Sequence, residues 1–588
     1  MKPTILQRPR SPKVYDAALA IGYSPLQASI LAGRFSDDQA DDLKQWVSPP
    51  ISALDSPELL PDIEIAAAEI ADAIITMKPL VIASDFDADG ITAHSVIKTA
   101  FVEYFGVDES RVYSVIAHRV KDGYGISDKI AERVLDILDR PGIVITADQG
   151  STNYSAIALL AAKGHVVVVT DHHGLGAAGI PAGACACVNP VRPDAAYPDP
   201  YIAGVMVAWL VMTAVRRKLI QLHHLPLDAP KLGPLLQFAA VGILADCMDL
   251  SKSRNNRAVI NYGLSLINRP DAAAPWQAIK RLLGKQTINS VDVSFGVAPR
   301  LNAVSRVHEG LGGLHFLCSK DPAEATDLLA QLDQHNNERK QIEATIRDEA
   351  MLIAEHRVRQ GAASIIAAPN ASHAGVHGVV AGRILQATGR PTIVFSPKHG
   401  TEDMLTGSMR CPPGVNGRLA LQEVSDSSPG VLASWGGHAG AAGLSLKRDR
   451  LRQFADAFEA AIRRQVDPAT LFPRLWTDGE LIETPTLDTL SEIEALGPYG
   501  RQFESPAFEL AATVVSAKSV GDGSHVKLTL TGPSLNAIDG IWFRAKAPND
   551  PIPVQVGTAY RFVVRLDSNT YLGRTTVQVL VESCETAG

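Results

Sequence analysis

Between residues 79 and 190 the apolar positions come in short unbroken runs: PLVIASD (79–85), RVYSVIAH (111–118), GIVITAD (142–148), HVVVVTD (165–171) and ACACVNP (184–190). Runs of this length, spaced by helical segments, suit strands buried on both faces, so a mostly parallel sheet covered by helices is predicted over about 60–265. The period then changes. Residues 328–358 carry Leu329, Leu332, Ile342, Ile346 and Ile353 at roughly helical spacing among Gln, Glu, Asn, Arg and Lys, which predicts a long connecting helix. A second α/β unit is expected over about 360–463, with strands ASIIAAP and PTIVFSP around a helix at 376–388, closing on the glycine-rich WGGHAGAAG. The tail holds five strand-like runs, ATVVSAKS, HVKLTL, AIDGIWFRA, TAYRFVVRL and TTVQVLVES, with turn signals between them. Five such strands suit a small barrel of the OB type, a common platform for single-stranded nucleic acid. Residues 1 to about 50 read as helical and peripheral, ending at Pro49 and Pro50.

The length of 588 residues requires several cores at about 150 residues per domain. The formal charge of −8 gives no whole-molecule attraction for nucleic acid, and the barrel region 505–588 holds seven basic and seven acidic residues, so it carries no strong basic footprint. Six scattered cysteines form no CxxC pair, which makes a reduced cytosolic setting the expectation. Neither a signal-peptide core nor a stretch of membrane-spanning apolar length is present in the sequence, and a soluble cytoplasmic protein is expected.

Three of the runs end in acids. VIASDFDADG offers Asp85, Asp87 and Asp89, VITADQG offers Asp148, and VVTDHHG offers Asp171, His172 and His173. In a parallel sheet all three sets converge on one rim, where ligands of such sheets bind. Asp246, in GILADCMDL, is a further carboxylate in apolar surroundings. A single Asp before a Gly at a strand end caps a helix or makes a turn, but capping needs one carboxylate and not three in five residues. Crowded carboxylates repel one another and take up protons unless a cation neutralises them. Oxygen and imidazole donors without thiolate suit Mn²⁺ or Mg²⁺ more than structural zinc, and bridging carboxylates allow two ions about 4 Å apart.

At these residues the chain resembles the DHH phosphoesterase superfamily, and within it the RecJ-type exonucleases, which degrade single-stranded DNA from the 5′ end with Mn²⁺ or Mg²⁺. The motifs follow in order along nearly the whole chain: DFDADGIT (85–92), RVKDGYG (119–125), TADQGS (146–151), TDHHG (170–174), LADCMDL (244–250), FGVAPRLNAVSR (295–306), HAGVHGVVAGR (373–383), GSMR (407–410) and GGHAGAAG (436–443). VGDGSHVKLTL and NTYLGRTTVQVLV in the tail resemble the family's OB domain. The resemblance implies an N-terminal helical segment (1–50), a parallel-sheet DHH domain (51–270), a linker with the long helix (271–358), a DHH-associated α/β domain (359–463) and an OB-type β-barrel (464–588). It implies metal ligation by Asp87, Asp89, Asp148, His172 and Asp246. Asp85 and His173 would sit beside the metals as catalytic groups, and Asp171 would orient an imidazole. Arg119, Ser408 and Arg410 match positions that hold the 5′-phosphate, and Arg300, Asn302, Arg306, His373, Arg383 and His438 are candidate DNA contacts. The glycines from Gly436 to Gly443 would let main-chain N–H groups approach a phosphate. Departures from the family pattern are Phe86 for the common Tyr, Gln149 for Asn, and NAVSR for Asn-Ala-Ala-Gly-Arg.

The expected activity is therefore 5′→3′ hydrolysis of single-stranded DNA to nucleoside 5′-monophosphates in DNA repair and recombination. The implied partners are single-stranded DNA, a helicase and a single-strand-binding protein; no membrane is involved, and the enclosing architecture lets a monomer work. Two other readings stay open at this level. A phosphoesterase acting on short oligonucleotides, cyclic dinucleotides or pyrophosphate would lack the long helix and the barrel. A non-catalytic replication scaffold of the same superfamily would have lost metal ligands.

Overall fold

A computed structural model of the chain describes residues 2–118, 122, 125–307, 311–401, 403–571 and 573–586. Arg119 and most of the loop motif at 119–125 lie outside the described residues. The chain begins with a short strand, β1 (Thr4–Gln7), followed by helices Pro12–Ala20 and Pro25–Ala32, the second closed by a reciprocal capping box between Ser24 and Gln27.

The five apolar runs become β2 (Leu80–Ser84), β3 (Val112–Ile116), β4 (Ile143–Ala147), β5 (Val166–Thr170) and β6 (Ala184–Val188), all parallel. Successive side chains alternate between two cores: Leu80 and Ile82 of β2 join one, Val81 and Ala83 the other, and β4 divides in the same way. Double burial is why these strands read as unbroken apolar runs. The order across the sheet is β3-β2-β4-β5-β6. The chain leaves β2 in one direction for β3 and returns on the other side for β4, so the connections diverge between β2 and β4 and leave a crevice there.

The long helix runs from Pro322 to Arg359, 38 residues, about 57 Å at about 1.5 Å per residue. It begins six residues before the apolar periodicity does, because Asp321 caps it by accepting from Ala323 and Glu324 N–H and Pro322 occupies its first position.

The second unit is a mixed sheet of β7 (Ile365–Ala367), β8 (Thr392–Pro397), β9 (Met404–Arg410), β10 (Leu432–Gly437) and β11 (Ala441–Lys447), ordered β10-β11-β9-β8-β7. Only β7 and β8 were legible as apolar runs. The glycine-rich stretch 436–443 is largely the β10–β11 hairpin, in which Gly436 pairs with Gly443. Of its glycines, Gly437 is the one the backbone requires, with φ = 137° and a Cβ that would lie 2.5 Å from Ala441 O.

A further strand, β12 (Arg474–Thr477), pairs in parallel with β1. It is followed by β13 (Phe508–Val520), β14 (His525–Gly532), β15 (Leu535–Trp542), β16 (Ala559–Tyr571) and β17 (Arg574–Thr586), a closed barrel ordered β13-β14-β15-β17-β16. The N-terminal segment is therefore helical but not peripheral, which corrects the expectation from sequence. Val14, Ala18, Ile30 and Leu31 are fully buried in the main core, and Arg34 forks onto Asp478 with contacts of 2.6 and 3.0 Å, both side chains buried. Among the described residues no helix is long and apolar enough to cross a membrane.

Candidate metal centre

The crevice between β2 and β4 is where the acidic strand ends meet. Asp85 follows β2 and its N–H donates to Ala147 O at the end of β4 (3.1 Å). Asp148, the next residue of that strand, has φ = 61°, in the left-handed region that costs a non-glycine residue about 1 kcal/mol or more. Its N–H is fixed on Thr170 O at 3.0 Å, so the turn aims the carboxylate inward. Asp87 caps the helix Ala88–Thr99, accepting from Asp89 and Gly90 N–H, so the ordinary role of a strand-end Asp is filled by this one residue. Asp89, in the first turn of that helix, is buried and accepts from Gly204 N–H (2.8 Å) and Val205 N–H (3.0 Å) at the start of helix Gly204–Gln221. Asp246 ends helix Leu236–Ala245.

His172 lies at the centre of the group. Its Nε2 is 3.2 Å from Asp148, 3.5 Å from Asp246 and 3.8 Å from Asp89. His173 turns outward, half-exposed, with Nδ1 at 2.8 Å from Asp171 and 3.8 Å from Asp148. Three donor sets, Asp148 with His172 and His173, Asp89 with His172 and Asp246, and Asp85 with Asp87 and Asp148, each fit within a 4.8 Å span.

The electrostatics record the crowding. Burial, and then the neighbouring carboxylates, push Asp89 and Asp148 well above the usual carboxylate range. Burial and then Asp87 raise Asp246 to about 7. Burial and His173 lower His172 to about 4. Burial also works to lower His173, but its bond to Asp171 and the surrounding carboxylates carry it to about 10. Burial works to raise Asp171, and the two histidines hold it below the usual range instead.

A cation fits this site. Asp148 Oδ1 and His172 Nε2 are buried without a hydrogen-bond partner although they are 3.2 Å apart, and buried polar atoms are rarely left so unless an ion or water takes them. A pH dependence follows. Between 3.8 and about 7 the folded protein keeps a proton on Asp246 that the unfolded chain has lost, so stability falls as pH rises through that window. The same holds for His173 between 6.5 and about 10. His172 acts oppositely, but only between about 4 and 6.5. The Tm of chelator-treated protein should therefore fall from about pH 6.5 to about pH 8.5, and saturating Mg²⁺ should flatten the fall, as differential calorimetry can check.

The other candidate residues divide into those tied to this centre and those elsewhere. Asn302, on helix Ala298–Val307, accepts from Ala88 N–H at 2.9 Å and so buttresses the first turn of the helix that bears Asp89. One turn on, Arg306 donates to Gly375 O at 2.6 Å, and Gly375 N–H donates to His373 at 3.2 Å, which brings Arg306 and His373 together between the two α/β units. Arg300 is paired with Asp333 of the long helix at 2.7 Å, and Arg383 lies 3.6 Å from Glu343. Ser408 is mid-strand in β9, opposite Gly443 and Val394. Arg410 ends that strand against helix His377–Thr388, where a Cβ on Gly378 would stand 2.7 Å from its guanidinium. His438 is exposed at the β10–β11 turn.

Several residues escaped the sequence reading. Asn189, just past β6, donates to Ser151 Oγ and to His173 O, both at 2.8 Å, and Ser151 N–H donates to Asp171 at 2.9 Å, so the two fix the histidine loop. Asn189 was visible only as one more polar strand end. Gly204 and Gly242 give no sequence signal, yet a Cβ on Gly204 would lie 2.5 Å from Asp148 and one on Gly242 2.6 Å from Asp89.

A doubly wound parallel sheet that gathers carboxylates and imidazoles at its divergence point, joined to a second α/β unit and an OB barrel, defines a metal-dependent phosphoesterase. Three family models match in chain order: the DHH family N-terminal domain over residues 79–243, the DHHA1 domain over 361–464 and the RecJ OB domain over 477–583. The single-stranded-DNA-specific exonuclease RecJ of Dickeya dadantii is 32% identical over 540 residues, covering 89% of this chain and 90% of that protein. The protein of that name from Haemophilus influenzae is 30% identical over 541 residues, covering 90% and 92%. Among solved structures, RecJ from Thermus thermophilus in complex with Mn²⁺ superposes with a TM-score of 0.76 at 25% identity, covering 99% of this chain and 79% of that one. The chain belongs to the RecJ family.

Proposed function

We propose that the protein is a divalent-metal-dependent exonuclease that degrades single-stranded DNA from a 5′-phosphorylated end and releases nucleoside 5′-monophosphates. The observation that carries this reading is the packing of five aspartates and two histidines, none replaced, into the crevice between β2 and β4. Asp87, Asp89, Asp148, Asp246 and His172 would hold Mn²⁺ or Mg²⁺, with Asp85 beside them as a catalytic group. When bound, such ions neutralise the carboxylates, polarise the phosphate and lower the pKa of water.

The chain's own residues supply the rest. Asp171 occupies Nδ1 of His173, so in the cationic ring the Nε2–H faces outward, where it can donate to a phosphate oxygen as negative charge builds. Arg119, Ser408 and Arg410 would hold the 5′-phosphate, a fork of donors suited to its oxygens. Arg300, Arg306, Arg383, His373 and His438 would follow the backbone of the strand. Asn302 has its carbonyl oxygen engaged by Ala88, so only its amide N–H₂ is left for a phosphate. The long helix and closed barrel favour a long strand over a dinucleotide, and the complete donor set favours catalysis over a scaffold role. A cytoplasmic monomer working with a helicase and a single-strand-binding protein is the setting we propose.

The test is digestion, with Mn²⁺, of a 5′-phosphorylated oligomer labelled at either end. Mononucleotide should appear first from the 5′ label, and neither blunt duplex nor a dinucleotide should compete. Preferential release from the 3′ end would overturn the reading.

A further inference from the structure

A groove of about 600 Å³ opens where the N-terminal segment meets the rim of the metal centre. Its inner wall is Tyr201, Ser251 and Lys252, and its outer wall comes from residues 9–11, 32–36, 38 and 39 with Trp46. The inner wall is made by the two loops that carry the site. Ile202, next to Tyr201, hydrogen-bonds His172 through its backbone, Gly204 N–H donates to Asp89, and Lys252 follows Asp246 by six residues. The walls are tied together, since Gln39 Nε2 donates to Ser251 O at 2.7 Å.

The lining is mixed in a specific way. Half-buried Trp46 and Tyr201 supply ring surface, with buried Phe35 packed behind Trp46, and Arg10, Arg34 and Lys252 stand against one carboxylate, Asp38. Arg34 is matched by Asp478. Arg10 donates to the Asp478 carbonyl, and neither it nor Lys252 has a carboxylate within ion-pair distance among the described residues. Lys252 Nζ sits 5.6 Å from the Tyr201 ring, and the Arg254 guanidinium 4.8 Å from that of Trp46. Rings flanked by cations are what a base with its phosphate needs, stacking on one and pairing with the other. The volume falls in the range of about 300–1,000 Å³ that holds small ligands. On a chain of net charge −8, a patch with unmatched cations is where a phosphate can settle.

We infer that this groove is a second nucleotide subsite, taking one base and its phosphate apart from the metal centre and the 5′-phosphate contacts. The inference rests on the nuclease reading above and deepens it: the occupant is either the released nucleoside 5′-monophosphate or one nucleotide of the bound strand. The experiment compares full-length Mn²⁺-loaded wild type with Lys252→Glu, a change at an exposed position, in digestion of a 5′-phosphorylated oligomer with increasing deoxyadenosine 5′-monophosphate. If product occupies the groove, the inhibition constant of the mononucleotide rises at least about fivefold, with kcat and KM for the oligomer unchanged. If the strand occupies it, KM for the oligomer rises by about that factor and the inhibition constant stays. With both constants unchanged the inference is overturned. Should wild type digest no DNA, it is the nuclease reading that fails, and calorimetric titration of the mononucleotide into wild type and Lys252→Glu decides the groove on its own: equal or absent heats reject it.

Discussion

Asp148→Asn should lower turnover of a 5′-phosphorylated strand by about three orders of magnitude, roughly 4 kcal/mol of barrier, while leaving the fold as stable as before. Asn is the informative change because of the backbone. Asp148 sits at φ = 61°, and Asn is among the few residues that adopt the left-handed region readily, so the turn survives. The side chain keeps its shape beneath Gly204 and loses only charge. In chelator the variant should melt at or above the wild-type Tm, because a carboxylate pushed upward by burial and by Asp89, Asp87, Asp246 and Asp85 no longer has to be accommodated. Adding Mn²⁺ should raise the wild-type Tm by mass action and raise that of the variant much less. Calorimetry in chelator and in Mn²⁺, beside a digestion assay, separates the two effects. Wild-type turnover in the variant would remove Asp148 from the metal assignment.

That residue also shows what was legible in the sequence and why. Asp148 and the other strand ends could be read because chemistry and pattern coincide locally. A doubly buried strand leaves an unbroken apolar run, and acids at its end need a reason beyond capping. The same locality hid β9, β10 and β11, whose residues include Gly407, Ser408, Ser434 and Gly436. Their neighbours in the sheet, and not their own composition, make them strands. It hid the N-terminal anchor too, since Arg34 and Asp478 are 444 positions apart and neither belongs to an apolar pattern. The PRLNA stretch was legible as a motif but not in its workings. Asn302 could be read only as a polar group aimed at DNA, whereas its oxygen steadies Ala88 at the head of the Asp89 helix. Resemblance located the residue, and only three-dimensional placement gave the contact.

Gly204→Ala is the sharpest test of that placement, because it removes no donor and adds one methyl group. In a helix the change from Gly to Ala normally stabilises by about 1 kcal/mol. Here the new Cβ would stand 2.5 Å from Asp148 Oδ1 and 2.6 Å from Asp148 Cβ, closer than van der Waals contact allows. Asp148 cannot retreat, since its N–H is held by Thr170 O and its φ is already confined. Either the carboxylate rotates out of the donor cluster, or the start of helix Gly204–Gln221 moves away and withdraws the Gly204 and Val205 N–H groups from Asp89. Both routes misplace a metal donor by a fraction of an ångström or more, and a misplacement of about 1 Å can cost about a hundredfold in rate. We therefore expect turnover at least about a hundredfold down, a weakened Mn²⁺-induced rise in Tm, and a loss of about 1–3 kcal/mol in the metal-free fold from overpacking. Gly382→Ala, within helix His377–Thr388 where a Cβ meets nothing within 4 Å, is the control: it should leave turnover and the Mn²⁺ response unchanged and stabilise the metal-free fold by about 1 kcal/mol. A Gly204→Ala protein with the wild-type rate and Mn²⁺ response would mean that Asp148 is not held where the geometry puts it.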